Sequence, residues 1–92
     1  MPLTYKIVVY VPISHADKVR EEMSKAGAGR LGKYTFCSFT VKGIGRFKPE
    51  EGANPTIGTV GNHEQVEEER IEATCHKDVV GNIIAAIKRV HP

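Results

Sequence analysis

TYKIVVYVPISHADKVREEMSKAG, residues 4–27, switches at Pro12 from a strand pattern to a helix pattern, and that switch sets the architecture. Residues 4–11 are β-branched or aromatic on both sides, with Tyr5, Ile7, Val9 and Val11 on one and Val8 and Tyr10 on the other. Apolar side chains on both faces predict a central strand covered on both sides. After Pro12, Ser14 and Asp17 form an S-x-x-D helix start, and Ala16, Val19, Met23 and Ala26 recur at helical spacing. Gly27 predicts the end of this helix, because glycine enters the left-handed C-cap conformation without a Cβ penalty.

Residues 33–42 alternate, with Tyr34, Phe36, Ser38 and Thr40 against Thr35, Cys37, Phe39 and Val41, and predict a second strand. Gly43, Gly45, Gly52, Gly58 and Gly61, together with Pro49 and Pro55, predict a long loop over residues 43–61. Loops of that length are usually functional or ordered by a partner. Within residues 64–75 only Ile71, Ala73 and Cys75 alternate, so the second half of the segment is expected to be a strand. Asp78 is placed to cap a second helix whose Val80, Ile83, Ile84, Ile87 and Val90 form a wide apolar stripe. Lys88 and Arg89 stand in its last turn and Pro92 stops it.

The order βαββα predicts an α+β, ferredoxin-like antiparallel sheet with two helices on one face and the last strand missing. Two helices leave one sheet face open. Val8, Tyr10 and one row of the second strand are apolar there, so a partner subunit is the expected cover.

Ninety-two residues, 40% hydrophobic and 26% charged, are expected to form a single domain over residues 1–92. So short a chain buries little of its surface, which favours self-association. Thirteen Lys and Arg against eleven Asp and Glu leave a net charge of +2, short of the cationic excess of a nucleic-acid binder. No apolar run approaches the length of a membrane span, and the N-terminus lacks the pattern of a secretory leader, so a cytoplasmic protein with no membrane partner is expected. Cys37 and Cys75 are too few for a disulfide scaffold and read as reduced thiols.

Gly27-Ala28-Gly29-Arg30-Leu31-Gly32 matches G-x-G-x-x-G, but it follows a helix rather than opening one, so it lacks the dipole that makes this fingerprint bind a dinucleotide. It reads first as a C-cap and turn. Exposed backbone N–H groups there, with Arg30, Lys33, Arg46 and Lys48 near in sequence, form a candidate anion-binding nest. Cys37, Cys75, His63 and His76 include soft-metal ligand types without metal-ligand spacing. Glu64, Glu67, Glu68, Glu69 and Glu72 read as a solvated acidic face, and His15 and His91 as exposed helix-end residues. No paired base and nucleophile emerges, and the residues alone name no reaction.

KIVVYVP (6–12), GAGRLGKYTFCSF (27–39), GIGRFKPEEGANPTIG (43–58), EEERIEA (67–73) and IIAAIKRVHP (83–92) together resemble the YqfO-type, Nif3-like family. The likeness is to the domain inserted in the longer members and to its short stand-alone form. It implies a ferredoxin-like fold similar to PII signalling and CutA-type proteins, which assemble as trimers through their sheets. It also implies small ligands in clefts between subunits beside a long flexible loop, whose counterpart by position is residues 43–61. The two-metal centre of the long members is built by flanking halves whose motifs are absent from this sequence, so a metal-dependent hydrolase activity does not follow. The family pattern continues past His91-Pro92 into a Tyr-Glu-Glu-Pro segment that supplies the last strand.

The expected protein is therefore a non-catalytic, cofactor-free, homotrimeric sensor of a small anionic ligand or regulator of a partner. Gly27, Gly29, Arg30, Gly32, Arg46 and Lys48 are its candidate site, placed where the end of the first helix and the long loop would meet. The alternative is a CutA-like protein of divalent-metal binding or tolerance that uses Cys37, Cys75 and His76.

Overall fold

The structure is a computed structural model and describes residues 3–92; residues 1 and 2, where a leader would begin, lie outside the described residues. Its elements are β1 (Thr4–Pro12), α1 (Ile13–Lys25), β2 (Phe39–Phe47), β3 (Glu64–His76), a 3-10 turn (Lys77–Val79) and α2 (Val80–Val90). The three strands form one antiparallel sheet in the order β1-β3-β2. Both helices lie on one face, and the sheet does not close on itself. This is the α+β, ferredoxin-like arrangement expected from the order of elements.

Strand β3 occupies the centre, not β1. All of Glu64–His76 is extended, so its thirteen residues are long enough to pair with β1 along one edge and β2 along the other. The acidic first half obscures this strand in the sequence, because Glu favours helix while cross-strand pairing, not propensity, holds it extended. At the middle of the sheet Ile71 pairs with Val9 and with Thr40. Residues in register share a face, so Tyr5, Ile7, Val9 and Val11 and their partners Glu69, Ile71, Ala73 and Cys75 point toward the helices. Against them pack Ala16, Val19 and Met23 of α1 and Ile83 and Ile87 of α2. Ile84, expected in the apolar stripe of α2, is instead 43% exposed. Glu69, buried at the sheet's edge of this core, is held by the Arg20 guanidinium, which also reaches Asp17 at 3.2 Å.

The helix starts differ from the sequence expectation. Pro12 leads directly into α1, so Ser14 already lies inside the first turn; its Oγ meets His15 Nδ1 at 2.8 Å instead of capping, and Asp17 turns to Arg20. Asp78 does not cap α2 either. The backbone N–H of Asp78 donates to His76 Nδ1 at 3.1 Å, and the 3-10 turn carries the chain into the helix.

The second strand begins at Phe39, six residues later than position 33, and runs through Gly43 and Gly45 to Phe47. Its expected start is lost to a tight hairpin: Leu31 and Tyr34 exchange both backbone hydrogen bonds at 2.9 Å, and Gly32 supplies a φ of 58° at the first turn position. Phe36 then takes a φ of 59°, which ends the alternation that residues 33–42 show on paper. Gly43 and Gly45 are strand residues, paired with Glu68 and Val66 of β3, and at Gly45 the sheet uses the missing Cβ. The Glu68 side chain crosses over Gly45 and would collide with one. The loop is accordingly residues 48–63, its base closed by the Gly61 N–H donating to the Pro49 carbonyl at 2.8 Å.

The radius of gyration is 14.7 Å, above the value of about 12 Å for a compact chain of this length. The excess comes from the β2–β3 ribbon, which runs out past the helices and gives a long axis of 46 Å. On the face away from the helices, Phe39 (62% exposed), Tyr10 (58%) and Val41 (48%) stand with Val8 and Phe47.

Candidate functional site

At one end of the sheet the G-x-G-x-x-G segment wraps from α1 onto β3. Gly27, Gly29 and Gly32 all have positive φ, 119°, 76° and 58°, as a C-cap and turn require. The peptide at Gly29 is clamped on both sides: its N–H donates to the Thr74 carbonyl at 2.8 Å and its C=O accepts from the Cys37 N–H at 2.9 Å. The N–H groups of Gly27, Ala28, Gly29 and Leu31 are all committed to backbone carbonyls. A backbone nest at this turn therefore reduces to the N–H groups of Arg30 and Gly32, and the side chains carry the rest of any anion site.

Those side chains converge on a cleft of about 530 Å³ lined by Gly27, Arg30, Lys25, Thr74 and His76. Arg30 is exposed and makes no ion pair among the described residues. Lys25 is shared with Glu21 at 3.2 Å and Glu22 at 3.7 Å, and the Glu21 carboxylate, as its closest hydrogen-bond partner, holds the ammonium above the usual lysine range. Lys25, Thr74 and His76 escape the sequence motif because only the packing of α1 against the end of β3 brings them beside Arg30.

Arg46 and Lys48 lie elsewhere. Arg46 pairs with Gln65 near the start of β3, whereas Gly29 bonds to Thr74 near its end. At about 3.3 Å per residue the two positions stand roughly 30 Å apart along one strand. Within one chain the end of α1 and the long loop do not meet.

The three soft-metal candidates are likewise separated. Cys75 is buried among the core residues, and burial pushes its thiol above the usual cysteine range, against a smaller opposing pull from the Tyr5 backbone. His76, next along β3, is exposed on the opposite side, with Nδ1 occupied as the helix cap. Cys37 sits in the turn that follows the hairpin, with its N–H on Gly29. Among the described residues no three His, Cys, Asp or Glu side chains come together as a metal group, and both cysteines are free thiols.

A second cleft, of about 510 Å³, opens at the other end of the sheet between Pro12, Phe47, Pro49, Ile57, Val66 and the end of α2. His91, expected to be exposed, is half-buried there, with Nε2 2.6 Å from the Tyr10 carbonyl and Nδ1 3.0 Å from the Pro92 carbonyl. Glu68 lines the same cleft.

No protein-family model matches the chain. Over 88 residues it is 49% identical to a "GTP cyclohydrolase 1 type 2 homolog" of Halalkalibacterium halodurans, a match that covers 96% of this chain and 24% of the relative. A protein of the same name from Bacillus subtilis is 45% identical over 87 residues, 95% of this chain and 23% of that one. The crystal structure of a Bacillus cereus protein related to NIF3 superposes with a TM-score of 0.83 at 39% identity, covering 98% of this chain and 22% of that chain. The chain matches the Nif3-related family. It spans about a quarter of the length of these Nif3-related relatives. The superposition takes in the β2–β3 ribbon and the residue 48–63 loop as well as the core, so both clefts lie within the Nif3-related part of the fold. No helix of the described residues is long and apolar enough to cross a membrane.

Proposed function

We propose that residues 1–92 act as one non-catalytic, PII/CutA-like domain of the Nif3-related proteins, cytoplasmic and homotrimeric, which senses a small anion or regulates a partner. The observation that carries this reading is the open sheet face. Phe39, Val41 and Tyr10 are about half exposed or more on a face that no helix covers, and burying apolar area of this kind is worth about 25 cal/mol per Å². Charges are interleaved there with both signs, Lys6 and Arg70 beside Glu72, which suits a surface that meets copies of itself.

The anion is assigned to the cleft at the Gly27–Gly32 turn, with the Arg30 side chain and the Arg30 and Gly32 N–H groups to hold it and Gly27 and Gly29 shaping the turn. Arg46 and Lys48 complete that site from a neighbouring subunit, since their distance from Arg30 along the sheet leaves no route within one chain. Guanidinium and ammonium groups from two subunits around one anion would couple ligand binding to assembly. The activity in the relatives' names is not extended to this chain, which spans about a quarter of them.

Native mass spectrometry tests the assembly: a trimer is expected for the wild type and a monomer for the double variant Phe39→Ser, Val41→Ser. A wild-type monomer at micromolar concentration would overturn the reading. Titration with inorganic pyrophosphate tests the site. Arg30→Ala with Arg46→Ala is expected to abolish binding while leaving the trimer intact, and unchanged affinity would remove these residues from the site.

A further inference from the structure

The cleft at the opposite end of the sheet has a different chemistry, and we propose that it is a binding site for a small organic cation, a protonated amine carried on an apolar body. Its walls are apolar and stiff. Pro12 and Pro49 are buried with φ fixed by their rings, and Phe47, Ile57 and Val66 line the sides. A volume of about 510 Å³ falls within the range of about 300–1,000 Å³ typical of small-molecule sites.

Within this apolar lining the charges are unequally committed. Lys48 is drawn toward Glu50 at 3.7 Å, and both nitrogens of His91 face backbone carbonyls. Glu68 is different. Of the charged residues that line the cleft, half-buried Glu68 alone has no ion-pair or hydrogen-bond partner among the described residues, whereas further along β3 Glu69 is held by Arg20 and Glu72 by Lys6 and Arg70. The glycine at position 45 gives the carboxylate its place: the Glu68 side chain lies across the bare backbone, where a Cβ would strike Oε1.

A half-buried carboxylate left without an ion-pair partner gains from a cation that brings its own apolar surface. The pocket thus selects for charge sign by Glu68 and for an apolar body by Phe47, Ile57 and Val66, a division of labour common to small-molecule sites. An anion is disfavoured at Glu68, which separates this cleft from the Arg30 cleft at Thr74, six residues or about 20 Å along β3. The two clefts share only Lys48, which lines this one and is assigned to a neighbouring subunit's anion site.

The test uses the whole chain labelled with nitrogen-15 and three probes of similar size: 2-phenylethylamine, 2-phenylethanol and 3-phenylpropionate. The amine is expected to shift the amides of Phe47, Ala53, Ile57 and Val66, to bind at least tenfold more tightly than the alcohol, and to outrank the carboxylate further. Glu68→Gln preserves shape and removes charge, and is expected to bring the amine down to the affinity of the alcohol. Gly45→Ala keeps the charge but pushes the carboxylate off its seat, and is expected to weaken the amine without changing the alcohol. Equal binding of amine and alcohol, an amine affinity unchanged in Glu68→Gln, shifts centred on Gly27 to Leu31, or no shifts at millimolar amine would each overturn the proposal. Arg30→Ala is expected to lose pyrophosphate and keep the amine, and Glu68→Gln to keep pyrophosphate, so the two readings fail separately.

Discussion

Gly29→Ala is expected to lower the free energy of unfolding by about 2–5 kcal/mol, a large share of the stability of so short a domain. Two costs add. The backbone at Gly29 has a φ of 76°, where an L-residue pays about 1–2 kcal/mol that glycine does not. The new methyl would also be driven into the Cys37 backbone, overlapping the carbonyl oxygen, and backbone cannot swing aside as a side chain can. Overpacking of this kind costs about 1–3 kcal/mol. Relief would require breaking the bond from the Cys37 N–H to the Gly29 carbonyl, which joins the hairpin turn to the end of α1. Gly32→Ala is the control. Its φ of 58° carries the conformational cost, but nothing stands where its Cβ would go, so a loss of about 1–2 kcal/mol is expected. Chemical denaturation of the two variants at one protein concentration measures the difference, and equal losses would show that the close approach to Cys37 adds nothing.

The same contrast shows which parts of the molecule were legible from sequence. Periodicity found β1 and both helices, because in each the residues that recur are those that the core buries: Val11, Ala16, Val19, Met23, Ile83 and Ile87. It failed where a distant element decides the conformation. Phe36 alternates with its neighbours in composition, yet a positive φ imposed by the hairpin breaks the strand at that point. Gly43 and Gly45 look like loop residues until Glu68, more than twenty positions away, is seen lying over one of them. The acidic start of β3 is strand because it pairs with β2, and from Glu68 with β1 as well, and pairing partners are not written in a local window.

The candidate sites divide along the same line. Gly27 and Arg30 follow from a recognisable glycine string, whereas Lys25, Thr74 and His76 join them only through the packing of α1 on the end of β3. Nearness in sequence to a flexible segment made Arg46 and Lys48 look like partners of Arg30. A thirteen-residue central strand separates them instead. Glu68 was hidden for the opposite reason: it stands in a run of like charges, of which Glu69 and Glu72 are ion-paired and, of the rest, only Glu68 lines the cleft. A sequence shows residue types, while the distinction between a solvated charge and an uncommitted one depends on what the fold brings beside it.

Ile71→Ala is expected to cost about 2–5 kcal/mol, with Ile71→Val costing about 0.5–1.5 kcal/mol. Ile71 is fully buried at the middle of the central strand, paired with Val9 on one side and Thr40 on the other, under the two helices. Three elements that meet only through this side chain's surroundings cannot all close on the space it leaves, so the upper half of the range is expected for alanine. Urea unfolding should show a lower midpoint at an unchanged slope, since the surface exposed on unfolding is nearly the same. The neighbours Arg70 and Glu72 point to the open face, so substitutions there should leave monomer stability within about 0.5 kcal/mol while altering assembly. If the domain assembles through that face, the midpoints of wild type and Ile71→Ala will both rise with protein concentration, and the gap between them will stay constant because the two variants share one interface. A gap that changes with concentration would mean that the cavity under Ile71 distorts the sheet far enough to reach its other face.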